Sequence, residues 1–180
     1  MIRLATRQDI PNLLMMVEDY CEENIINTYK NKELHDKQYV GNLLFSMIMG
    51  KGFVLIDDDY RGMLLALITS NIWCPKSLQL NELAWWVEPE FRNTSLGGKL
   101  WIEFNKMAQK MLDDKRIDVV YTSLMGTSPS IDYEKRGFKL IETKYLFFKI
   151  FCKSASYVNI SYLNFERSVS AYILPINCFL

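Results

Sequence analysis

The chain has 180 residues, 49% of them hydrophobic, and Lys plus Arg equal Asp plus Glu at 21 each. That length suits one domain with an ample core, and a net charge of zero excludes a broadly basic nucleic-acid surface. Four cysteines without CxxC spacing and a single histidine argue against a zinc site and for a reducing compartment.

The first residues, MIRLATRQDI, lack an apolar signal core, and the longest apolar runs, such as 63–68, are far too short to span a bilayer. A cytoplasmic protein without membrane contact is expected. Residues 2–5 read as a short strand. Thr6-Arg-Gln-Asp9 resembles a capping box with Asp in the usual Glu position, and Ile10, Leu13, Leu14 and Val17 continue at helical spacing to about Glu23. Residues 24–37 form a polar loop, in which His35 is a surface or capping residue. Tyr39, Leu43, Leu44, Met47 and Ile48 predict a second amphipathic helix that Gly50 ends. Strands follow at 52–56 and 62–73, joined by Asp57-Asp-Asp-Tyr-Arg-Gly62. The Asp run reads as a solvated hairpin tip, because no further ligands follow at calcium-loop spacing. After the turn Cys74-Pro-Lys-Ser77, a strand spans 78–87.

The segment Glu88-Pro-Glu-Phe-Arg-Asn-Thr-Ser-Leu-Gly-Gly-Lys-Leu100 then leads from that strand into a helix over about 96–112. The first amides of a helix have no internal partner, and its dipole places partial positive charge there. Ser95 is a good N-cap type, Gly97 and Gly98 let a ligand approach the backbone, and Arg92 adds a fixed cation. A diphosphate fits such a site. The glycine spacing matches neither the P-loop nor the dinucleotide fingerprint, and a helix start packed with small residues is the plainer alternative. Leu100, Trp101, Phe104, Met107, Ala108, Met111 and Leu112 form a wide apolar stripe that reads as core.

A β-branched, aromatic strand is expected at 117–123. Ser128 before Pro129 is a plausible N-cap for a short helix that Gly137 stops, and strands are expected at 138–142 and 145–151. The order β α α β β β α β α β β predicts an α/β (α+β) fold with a mixed, mainly antiparallel central sheet and helices on both faces. Residues 152–180 are poor in charge and rich in Ser, Tyr and Asn with apolar islands, too apolar for a disordered tail, so packing or self-association is expected of them.

Two segments, WWVEPEFRNTSLGG and DYEKRGF, carry a resemblance. The first resembles the acyl-CoA-binding motif of the GNAT superfamily of N-acetyltransferases, and the second its closing Tyr-x-x-x-Gly-Phe signature. The resemblance covers residues 1–151. Ser95 stands where that family usually has its first glycine, and Gly126 where it commonly has Asn; Thr127 or Ser128 is a substitute there. The resemblance implies direct transfer of an acetyl group from acetyl-CoA to a primary amine of a small molecule or protein, without a metal. It implies that Arg92, Asn93, Thr94, Ser95, Leu96, Gly97, Gly98 and Lys99 hold the diphosphate. By position, Trp85, Trp86 and Val87 offer main-chain groups to the pantetheine arm. Glu82, on the same strand, is the candidate base, and its apolar neighbours favour a raised pKa. Tyr133 is the candidate acid on the CoA sulfur. The plainer alternatives are a strand-end Glu82 in solvent or paired with Lys, and a Tyr133 packed against the sheet. A homodimer is a habit of the family. The competing expectation is a GNAT-fold module that binds CoA or a protein without turnover, as the changes at Ser95 and Gly126 and the apolar tail suggest.

Overall fold

A computed structural model describes residues 1–23, 36–124 and 131–141. Five strands form one sheet in sequence order: β1 (Ile2–Leu4), β2 (Gly52–Asp57), β3 (Gly62–Ser70), β4 (Leu78–Val87) and β5 (Val119–Tyr121). Neighbours run antiparallel except β4 and β5, which are parallel. Helices α1 (Ile10–Glu22) and α2 (Lys37–Ser46) cover one face through a core of Leu13, Met16, Leu44, Val54, Met63, Leu65 and Trp86. Helix α3 (Leu96–Asp113) covers the other through Leu64, Ala66, Leu80, Leu100, Trp101 and Phe104. Because β2 and β3 are covered on both sides, they read as continuous apolar runs rather than alternating ones.

The predicted order of elements is present from β1 to β5, with local corrections, and the short helix expected before Gly137 is a 3₁₀ turn, Glu134–Arg136. The Thr6–Asp9 box opens the first helix as a 3₁₀ turn, Arg7–Asp9. Asp9 is buried and takes bonds from the Thr6 amide (2.7 Å), the Thr6 hydroxyl (2.8 Å), the Tyr60 hydroxyl (2.6 Å) and the Arg3 guanidinium (2.8 Å). These donors, Arg3 first, hold its carboxyl well below the usual carboxylate range. Helix α2 runs on into a wider turn, Met47–Lys51, that ends at Gly50 with φ 108°. β3 stops at Ser70 instead of reaching Trp73, because the Asn71 side chain takes the Trp73 amide and turns the chain (2.8 Å). The Asp run is not fully solvated: Asp57 is buried between the N-terminal amine and Arg61, while Asp58 pairs with Arg3. β5 is shorter than 117–123, and Phe138–Ile141 is no strand, since no described backbone lies alongside to pair with it. His35, Ser128 with its neighbours Gly126 and Thr127, the strand at 145–151 and the tail at 152–180 lie outside the described residues.

The Asp9 cluster ties β1, the β2–β3 hairpin and α1 together. Asp9→Ala is expected to lower the unfolding free energy by about 3 kcal/mol, since it takes the carboxylate from both Nη groups of a part-buried Arg3, leaving Asp58 on Nε, and leaves the Thr6 amide unpaired. Chemical denaturation at pH 7 measures it, and a loss under about 1 kcal/mol would show that water replaces the carboxylate. Because the folded-state pKa is depressed, this stability is present at neutral pH and fades only as pH falls below the ordinary Asp value.

Candidate active site

β4 is the strand on which the site is built. Its register against β3 slips between Leu65 and Ala66: Leu65 lies opposite Ala84 and Ala66 opposite Glu82, so Leu83 is the extra residue of a bulge. The slip changes which side chains face α3. Before it, Leu80 and Glu82 point to the α3 side, opposite Ile68 and Ala66; after it, Trp85 and Val87 do, while Ala84 and Trp86 turn to the α1–α2 side. β5 pairs with β4 only at Gln79–Asn81, so beyond Asn81 the edge of β4 that faces β5 is unpaired among the described strands.

Glu82 is the first residue beyond that pairing, with 8% of its surface exposed. Among the described residues its carboxylate accepts one bond, from the Ser123 amide at 3.3 Å. Burial pushes its pKa up to about 7, and the Ser123 bond only partly offsets that. Tyr133 comes from the other side. Its ring lies 5.5 Å from Trp101 and 5.8 Å from Phe138, and its hydroxyl makes a long 3.5 Å contact to the Ser123 carbonyl. Burial, then the nearby Glu82 charge, pushes the Tyr133 hydroxyl up to about 12, so it keeps its proton at neutral pH. The Tyr-to-Gly-Phe spacing has a local cause. Gly137 takes the left-handed conformation at φ 87°, which folds Phe138 back so that its amide meets the Tyr133 carbonyl at 3.0 Å. Glu82 and Tyr133, 51 residues apart, therefore converge on one residue, Ser123, the first on its amide and the second on its carbonyl. A carboxylate titrating near neutrality near a protonated phenol is the kind of pair that general base and acid chemistry uses.

The turn between β4 and α3 is held by Pro89–Phe91 in a 3₁₀ turn and by Arg61 stacked on Phe91 (4.9 Å). Ser95 occupies the N-cap position of α3 but its side chain makes no cap bond. Thr94 does that work: its hydroxyl accepts from the Leu96 amide at 3.2 Å and donates to the Phe91 carbonyl at 2.6 Å. The Gly97 and Gly98 amides take no acceptor among the described residues, as expected for the first turn of a helix. Asn93, Thr94, Ser95, Gly98 and Lys99 are exposed around them, and Leu96 is buried as the anchor of the helix. Trp85 stacks on Trp101 at 5.1 Å beside Gly97.

Arg92 is not a loose cation beside these amides. Its Nε donates to the Val87 carbonyl at 2.9 Å, and its guanidinium pairs with Glu23 at the end of α1. The Val87 carbonyl is thus taken, and the register turns the Trp86 amide and carbonyl toward β3, so of the three expected residues only Trp85 and the Val87 amide face the open edge. Glu23 also accepts from the Trp86 indole at 2.9 Å. Nothing in the sequence singles out Glu23, a helix-end carboxylate among several in Glu18–Glu23. Among the described residues a surface groove of about 590 Å³ lies at the other end of the sheet, by Lys51, Ser70, Leu78 and Lys115. It holds none of these residues, and the convergence on Ser123 marks the site better than volume does. Among the described residues no cluster of His, Cys, Asp and Glu is arranged to hold a metal, and no helix is long and apolar enough to cross a membrane.

No family model matches the chain, and no curated protein matches its sequence. Solved structures do resemble its fold. An acetyltransferase from Trypanosoma brucei superposes with a TM-score of 0.56 at 15% identity, over 82% of this chain and 97% of that one. A possible acetyltransferase from Clostridium difficile 630 gives 0.56 at 14%, over 83% and 97%. An aminoglycoside acetyltransferase from an uncultured soil metagenomic sample, in complex with sisomicin, gives 0.53 at 16%, over 85% and 96%. A transcriptional regulator from Bacillus halodurans C-125 gives 0.54 at 17%, over 82% and 99%, so the fold alone does not name an activity.

Proposed function

We propose that this chain, which has the GNAT fold, is a cytoplasmic N-acyltransferase that passes an acetyl group from acetyl-CoA to a primary amine by direct attack. The observation that carries the reading is the meeting of Glu82 and Tyr133 at Ser123, where β4 and β5 part. Acetyl-CoA supplies an activated thioester. The outward amides of Gly97 and Gly98, with Thr94 and Ser95 around them, suit its diphosphate, and the unpaired edge of β4 at Trp85 and the Val87 amide suits the amide-bearing pantetheine arm. Glu82 takes the proton from the attacking amine, directly or through one water. As the C–N bond forms and the C–S bond breaks, Tyr133 gives its proton to the leaving sulfur. No step calls on a metal. The acceptor is a small molecule or a protein amine; one structural neighbour is an aminoglycoside acetyltransferase, which supports the amine class.

The test has two stages. Acetyl-CoA at a hundred times its Kd is expected to stabilise the fold by about 2.7 kcal/mol, and an amine screen with thiol detection then finds turnover. A second reading, a CoA-binding module without turnover, is favoured by Ser95 in the usual glycine position and by the engagement of Arg92 with Glu23; a thermal shift with no thiol release across the screen selects it. In the active protein, Tyr133→Phe is expected to lower kcat about a hundredfold while CoA affinity changes less than about twofold, because the proton is needed only as the thiolate leaves. An unchanged single-turnover rate would show that Tyr133 only packs on Trp101. We also assign self-association to residues 152–180. Their deletion is expected to turn a dimer into a monomer by mass in solution; an unchanged mass refutes that assignment.

A further inference from the structure

The geometry points to Arg92 and Glu23 as positioning residues: a brace that shapes the diphosphate loop and ties it to α1, with Arg92 making no phosphate contact of its own. The inference rests on the acyl-CoA reading above.

Three elements meet in the brace. Arg92 Nε reaches back five residues to the Val87 carbonyl, at 2.9 Å, and so closes the turn over 88–91. Its Nη2 donates to Glu23 Oε2, and Glu23 Oε1 accepts from the Trp86 indole at 2.9 Å. Both Glu23 oxygens are thus occupied. Trp86 is buried in the core beneath α1 and α2, so the anchor at that end is rigid. The Glu23 amide closes the last turn of α1 on the Asp19 carbonyl at 3.2 Å.

Two consequences follow from charge and direction. The guanidinium is drawn toward the α1–α2 side of the sheet, whereas the free amides of Gly97 and Gly98 open α3, on the opposite side. The Glu23 carboxylate neutralises Arg92, so the net attraction for a diphosphate comes from the amides and the helix dipole. What Arg92 contributes is shape. A planar fork donates from Nε and Nη2 at once to acceptors on two elements, which a lysine ammonium cannot copy. The brace also joins the loop that would hold the donor to the end of the helix that faces away from it, so donor binding and the placing of α1 become one problem.

The competing role, a phosphate-binding arginine, predicts opposite signs. A phosphate ligand keeps most of its effect as Lys, and removing its competitor Glu23 tightens CoA binding. A brace behaves otherwise. Arg92→Gln, Arg92→Lys and Glu23→Gln are each expected to weaken CoA binding about tenfold, and the double variant Glu23→Gln/Arg92→Gln no further, because each change breaks the same unit. The dependence of affinity on salt stays that of wild type in all of them. Titration calorimetry with CoA on the full chain, with a melting curve for each variant, reads these effects. Tighter binding in Glu23→Gln, near-wild-type binding in Arg92→Lys, additive losses or a flatter salt dependence in Arg92→Gln overturns the inference. Failure of the wild-type chain to bind CoA at all is a different outcome, which removes the acyl-CoA reading itself.

Discussion

Gly97→Glu is expected to lower CoA affinity more than a hundredfold while the protein stays folded. Gly97 is the second residue of α3, with its amide free. A Cβ there meets Val87 Cγ2 at 3.7 Å and Trp85 Cζ2 at 3.8 Å, ordinary contact distances, so the fold has room for a side chain. An acid in the first turn favours the helix dipole by roughly 0.3–1 kcal/mol, and leaving glycine adds a similar amount in helix propensity. The same carboxylate sits where the diphosphate needs the amides, and repels it. A hundredfold loss is about 2.7 kcal/mol, modest for a like charge placed in an anion site. Gly97→Ala is the control: melting at or above wild type and affinity within a few-fold. Calorimetry and thermal melting read both variants. Full affinity in Gly97→Glu would remove the start of α3 from the binding site.

The second large effect belongs to Glu82. Glu82→Gln keeps the shape of the side chain and its ability to accept from the Ser123 amide, but it cannot take a proton. A loss in kcat of about a hundredfold to a thousandfold is expected. Wild-type kcat/KM should rise with pH through about 7, where the buried carboxyl ionises, and that limb should vanish in Glu82→Gln. Stability moves the other way. The folded chain keeps the Glu82 proton up to about pH 7, whereas the unfolded chain releases it near the ordinary glutamate value of 4.5, so the folded state binds more protons across that window and loses stability as pH rises through it. The full difference is roughly 3 kcal/mol. Unfolding free energies of wild type and Glu82→Gln between pH 5 and 8 check this without any substrate: the variant should lack the decline. A wild-type rate independent of pH from 6 to 8, or parallel stability curves, would return Glu82 to a purely structural role.

Much of the frame is legible in the chain. The apolar runs of β2 and β3, the helical spacing from Ile10 to Val17 and the wide stripe from Leu100 to Leu112 each reflect a burial demand local to one element, so periodicity alone locates them. β4 is legible to its ends, because Ser77 and Glu88-Pro89 punctuate it. The turn into α3 is legible as a place where amides are left over, for that is a property of any helix start. Tyr133 with Gly137-Phe138 is legible because the left-handed glycine is a backbone requirement written in one residue.

What decides the chemistry is not local. Whether Glu82 is solvated or buried depends on a one-residue slip between Leu65 and Ala66 on another strand, and on Ser123 arriving from beyond α3. Whether Ser95 or Thr94 caps α3 turns on the path of the 89–91 turn, since either hydroxyl is a competent acceptor by type. Arg92 reads as a phosphate cation in sequence and sits in an ion pair in space, because its partner Glu23 is 69 residues away at the end of a helix whose own sequence asks nothing of it. Residue type and spacing therefore determined the scaffold and the kinds of groups available. The tertiary structure alone decided which carboxylate is dry, which cation is spent and which two side chains meet, because burial and pairing are set by contacts between elements that the chain order keeps apart.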